Sequence, residues 1–169
     1  MRRQQAVLRT WVLAATLLVP AAESAAADCR LDTSPACSTA ISLGATPGDT
    51  GTQSLVRTGT GEAHFLVTVR EESSSTRALV ASVVLAVPPD VDYDLIVRCS
   101  SCNSPNLRST KSPAGTTERI IVRRSDTFGD QTFTIAIEIR YSSGKSCAPW
   151  TLSVSGNTSV STTDALSCG

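Results

Sequence analysis

The chain has 169 residues carrying 15 basic and 15 acidic side chains, so its formal charge is zero. Residues 1–27 read as an export signal, which leaves about 142 residues for one hydrophobic core and excludes a barrel enzyme or a two-domain dehydrogenase. Losing Arg2, Arg3, Arg9 and Glu23 with that signal takes the remainder to a net charge of about −2, which argues against nucleic acid as a partner.

The signal is legible in three parts. Residues 1–10 hold three arginines and no acid, residues 11–22 are almost wholly apolar, and Ala25-Ala26-Ala27 offers the small side chains a signal peptidase accepts. A dozen or so apolar residues interrupted by Pro20 fall short of the roughly 20 that span a bilayer. No other segment is long and apolar enough, so no membrane span is expected in the mature chain, and its expected place is the periplasm or the medium. Six cysteines follow the signal, at Cys29, Cys37, Cys99, Cys102, Cys147 and Cys168, and an even count in an exported chain predicts disulfides. Their spacing predicts three local pairs: Cys29 with Cys37, Cys99 with Cys102, and Cys147 with Cys168.

Residues 28–62 form an N-terminal segment with weak strands near 40–43 and 53–57, separated by the turn Thr46-Pro47-Gly48-Asp49. Residues 63–70 alternate, with Phe65, Val67 and Val69 inward, His64, Thr68 and Arg70 outward, and Leu66 an outward exception. Residues 77–87 are apolar on both faces, as a central strand requires. After Pro88-Pro89 come strands at 92–98, 118–123, 132–141 and 150–155, with residues 100–115 read as a loop. The clearest is 132–141, where Phe133, Ile135, Ile137, Ile139 and Tyr141 share a face. Residues 157–169 read as a polar tail tied down by Cys168. Helical spacing is absent from this serine- and threonine-rich chain, so 63–156 is expected to be the core of an all-β, antiparallel, disulfide-stapled sandwich.

Asp90, Asp92 and Asp94 recur at every second position, which on a strand puts three carboxylates on one side. Calcium takes six to eight oxygens, so these acids with a loop carboxylate form a candidate calcium site, and no cofactor other than calcium is expected. The competing reading gives Asp90 to the turn and Asp92 and Asp94 to strand-end hydrogen bonds. Cys99-Ser100-Ser101-Cys102 has redox or zinc spacing, but the loop that follows supplies neither a helix nor a second ligand pair, so a structural disulfide is expected. His64 is the only histidine, in an alternating strand with no nucleophile elbow, so a secreted hydrolase is the minor alternative and catalysis is not expected. Arg119, Arg123 and Arg124 form a basic cluster that reads either as a solvated strand face or as a contact for an anionic surface. Phe128, beside Gly129, is the one aromatic ring placed on a loop.

Residues 79–99, LVASVVLAVPPDVDYDLIVRC, followed by TERIIV and FTIAIEIRYSSGKSCAPWTLSVSG, carry a further signal. An apolar strand, a turn, an Asp-x-Asp-Leu element at Asp92, Asp94 and Leu95, and a closing Trp150-x-Leu152-x-Val154 run together resemble the bacterial pre-peptidase C-terminal domain. The resemblance spans about residues 63–156 and implies a jelly-roll-like sandwich serving as an accessory or adhesive module. The expectation is therefore an exported, non-catalytic binding module with a protein or extracellular ligand, with a calcium-dependent matrix or carbohydrate binder as the alternative.

Overall fold

The computed structural model of the chain describes residues 36–73, 77–125, 127, 129–144, 148–159 and 163–169. A single 3-10 turn at Cys37–Thr39 leads into ten strands: β1 (Ile41–Pro47), β2 (Ser54–Gly59), β3 (Ala63–Arg70), β4 (Leu79–Ala86), β5 (Val91–Cys99), β6 (Leu107–Thr110), β7 (Glu118–Arg124), β8 (Phe133–Gly144), β9 (Trp150–Gly156) and β10 (Leu166–Ser167). They form two five-stranded sheets, A in the order β1-β3-β8-β5-β6 and B in the order β10-β7-β4-β9-β2. Among the described residues no helix is long and apolar enough to cross a membrane.

Period-two patterning builds the core. On β8, Phe133, Ile135, Ile137 and Ile139 are buried, and on β3 the same holds for Phe65, Val67 and Val69. The opposing sheet supplies Leu79, Ala81, Val83 and Leu85 from β4 and Trp150, Leu152 and Val154 from β9. Each large aliphatic side chain removed from water contributes roughly 1.5–3 kcal/mol, and the layer between the sheets is continuous. β4 lies between β7 and β9 at the centre of sheet B, as its two apolar faces predict.

Three expectations are corrected. The sheets are mixed rather than wholly antiparallel, because β1 runs parallel to β3 and β10 runs parallel to β7. Parallel neighbours need a long crossover, and in both cases the chain visits the opposite sheet on the way: through β2 of sheet B for the first pair, and through β8 of sheet A, before β9, for the second. Residues 100–115 are not all loop and 157–169 are not all tail, since β6 and β10 lie within them. Both strands are too short to show a period in sequence.

The local disulfide scheme also fails where it can be judged. Cys99 pairs with Cys168, 69 positions away, and Cys102 pairs with Cys37, 65 positions away. Cys99 points inward from the end of β5 and Cys168 follows β10, so the first bridge links sheet A to sheet B. The second ties the turn before β1, which lies against β3, to the loop after β5. Cys29 and Cys147 lie outside the described residues, as does the signal at 1–27.

Candidate functional site

The outward face of sheet A gathers most of the charge. Glu138 of β8 stands in register between His64 of β3 and Ile96 of β5. Its carboxylate accepts hydrogen bonds from Arg98 Nη2 at 3.3 Å and from Arg140 Nε at 2.9 Å, with Arg140 Nη2 also in contact. Asp94 is the register partner of Arg140, and Asp92 lies two residues before it on the same face. Burial pushes the Asp94 carboxyl above the usual carboxylate range and the neighbouring Asp92 adds to this, against the pull of Lys111 and Arg140. Asp90 does not join them. It sits in the turn before β5 with φ 63°, so the strand's alternation begins only at Val91. Among the described residues no three of His, Cys, Asp and Glu stand close enough to hold a metal ion, and the acids Asp90, Asp92 and Asp94 are not brought together as one ligand set.

The outward face of sheet B is different in chemistry. Register places Val56 of β2, Ser153 of β9, Val84 of β4 and Arg119 of β7 in one row across four strands. The next row holds Ser54, Ser155, Ser82 and Ile121, with a hydrogen bond of 2.7 Å between the hydroxyls of Ser54 and Ser155. Thr58 and Thr151 begin the row on one side, and Arg123 opposite Val80 closes the other. Apart from Arg119 and Arg123 the face is made of hydroxyls and aliphatic side chains and carries no acid among its described residues; Val56 at one edge is 63% exposed, whereas Ser82 at the centre is buried.

The predicted basic cluster is therefore divided. Arg119 and Arg123 share the outward face of β7, four residues and about 13 Å apart along the strand. Arg124 falls on the opposite side, its guanidinium 6.0 Å from the Phe133 ring, because one position along a strand reverses the side chain. Phe128 lies outside the described residues. No family model, no curated protein and no solved structure matches this chain.

Three arrangements had no signature in the sequence. The serine and threonine rows exist only once β2, β9, β4 and β7 are neighbours, and their outward alternation was the one available hint. Glu118 is 2% exposed and bridges the sheets, accepting from Leu95 N–H at 2.6 Å, Thr110 Oγ1 at 2.6 Å and Ser112 N–H at 2.9 Å. Asp49 is likewise buried and accepts from the Glu72 and Ser73 amides and the Ser73 hydroxyl. Burial raises its pKa, but these bonds outweigh that and hold it below the usual carboxylate range. Both acids serve the frame.

Proposed function

We propose that the chain is an exported, non-catalytic binding module that docks through the outward face of sheet B. The observation that carries this reading is the four-strand row Val56-Ser153-Val84-Arg119 and its neighbour, a surface of small side chains that is most open at Val56, Ser54 and Arg119 and closes down at the buried Ser82. A sheet face of hydroxyls and methyls meets a repetitive, extended partner without large rearrangement, since the strands beneath it are already fixed. The two long-range disulfides support an oxidising compartment.

Strand order supports the jelly-roll reading and, with it, the resemblance to the pre-peptidase C-terminal domain. With the parallel edge strands β1 and β10 set aside, eight strands form two four-stranded antiparallel sheets, β2-β9-β4-β7 and β3-β8-β5-β6. Eight strands in two sheets, with the chain passing repeatedly from one to the other, is the pattern a jelly roll has.

The test is retention of the mature, disulfide-bonded protein on bacterial cell-envelope preparations and on a panel of soluble and insoluble polysaccharides. Val56→Glu should abolish retention while His64→Ala, on the opposite face, should not. Retention indifferent to Val56→Glu would overturn this face as the binding surface.

A further inference from the structure

We propose that the partner of the sheet B face is an acidic polysaccharide, whose carboxylate or sulfate groups are held by Arg119 and Arg123 while its hydroxyls meet the serine and threonine rows. This rests on the reading of that face as the binding surface. Charge is distributed unequally between the two outward faces. The ion pairs among the described residues, Arg70 with Glu72 and Glu138 with Arg98 and Arg140, all belong to sheet A or its loops. Arg119 and Arg123 enter none of them, and among the described residues no acid shares their face. A guanidinium is a fixed planar fork that matches a carboxylate or sulfate with two parallel hydrogen bonds, so a pair held on one strand offers two such contacts along one line.

The rest of the molecule narrows the class. At a net charge of about −2 the mature chain has no general attraction for polyanions, so any such binding must be local to an acid-free surface. Neutral sugars are commonly held by stacking on exposed rings, but among the described residues Phe65, Tyr93, Phe133 and Trp150 are buried between the sheets and Tyr141 is partly buried against the same core. No described residue of the sheet B face carries a ring, which disfavours single-stranded nucleic acid there, since its bases need stacking platforms. Duplex DNA, with a charge about every 1.7 Å, calls for more cations than this face presents. What the face offers is widely spaced charge recognition set in a field of hydroxyl donors and acceptors, which is the chemistry of a chain bearing both acids and alcohols.

The experiment titrates the mature protein, disulfides intact, with heparin, polygalacturonate, neutral dextran and a DNA duplex. The expected result is binding to both acidic polysaccharides, weakened as ionic strength rises from about 0.05 to 0.5 M because exposed charge pairs are screened. The Arg119→Gln, Arg123→Gln double variant should bind them about tenfold or more weakly with an unchanged thermal midpoint, whereas Arg70→Gln on the other sheet should bind as before. Unaltered affinity in the double variant, or preference for the duplex, overturns the proposal. Binding to dextran that is lost in Val56→Glu but kept in the double variant also overturns it, while leaving the face itself as the binding surface. If none of the four polymers binds, the acidic polysaccharide falls as the partner, and the face itself is judged separately by the Val56→Glu retention on cell-envelope preparations.

Discussion

Tyr93 and Trp150, one from each sheet, hold the same residue. The Gly61 amide donates to Tyr93 Oη at 3.0 Å, and Trp150 Nε1 donates to the Gly61 carbonyl at 2.8 Å. Gly61 takes φ +76° to present both groups, a conformation open to a residue without Cβ. Both rings are fully buried, so each polar tip needs a partner, and one backbone residue in the turn between β2 and β3 satisfies both. Phe65 packs edge-on against Trp150 at 6.0 Å, which extends the joint into the core.

Tyr93→Phe should therefore strand the Gly61 amide in an apolar setting. The expected cost is about 1–3 kcal/mol, read as a lower urea midpoint at unchanged m-value. A loss of a few tenths or less would mean that water reaches the turn and that the clamp is dispensable.

Glu118 concentrates three donors from β5, from β6 and from the segment after it onto one buried carboxylate. Glu118→Ala should cost about 1–3 kcal/mol for each of the Leu95 and Ser112 amides it leaves unmet, while Thr110 Oγ1 keeps the Leu95 carbonyl at 3.3 Å as an acceptor. Glu118→Gln keeps an acceptor but turns an amide donor toward these donors, so its cost should fall between wild type and the alanine variant. Equal stability of the glutamine and alanine variants would show that the acceptor geometry contributes nothing.

Asp49 and Asp94 should give stability profiles of opposite sign. The Asp49 pKa is lowered in the folded state, so its contribution is present above the unfolded carboxylate value near pH 4 and is lost as pH falls below it. Asp49→Asn should destabilise at pH 7 and converge on wild type as the pH falls below the unfolded carboxylate value. The Asp94 pKa is raised, so its ionised form opposes folding at neutral pH and the folded state gains stability as pH falls through the raised value. Asp94→Asn should stabilise at pH 7, with the gain fading under acid. Thermal midpoints across pH 2–8 compare the two, and parallel profiles would contradict the assignment.

Non-reduced peptide mapping should recover Cys37 linked to Cys102 and Cys99 linked to Cys168. Closing loops of 65 and 69 positions constrains the unfolded chain by about 4 kcal/mol each on the chain-entropy estimate, so Cys99→Ala with Cys168→Ala should lower stability by that order. A recovered Cys99–Cys102 peptide would refute the inter-sheet bridge.

The strands and their inward residues were legible because side-chain direction alternates with the chain itself. Phe133, Ile135 and Ile137 announce a half-buried strand without reference to any other part of the molecule, and the two apolar faces of β4 announce its central position. Candidate arginines could be named, but which of them share a face could not. Arg119 and Arg123 separate from Arg124 only when the limits and pleat of β7 are known.

Composition and periodicity alone determined the all-β character, the single core and the presence of disulfides, since each depends on local pattern or simple count. Tertiary structure decided the rest. Cys99 meets Cys168, Trp150 meets Gly61, and Glu118 meets Leu95 because strands far apart in sequence close into two sheets, and nothing in local spacing carries that distance. The hydroxyl face of sheet B arises in the same way. Ser54, Ser155 and Ser82 become one row only when register aligns β2, β9 and β4, since a one-residue slip in any of them would turn its hydroxyls into the core.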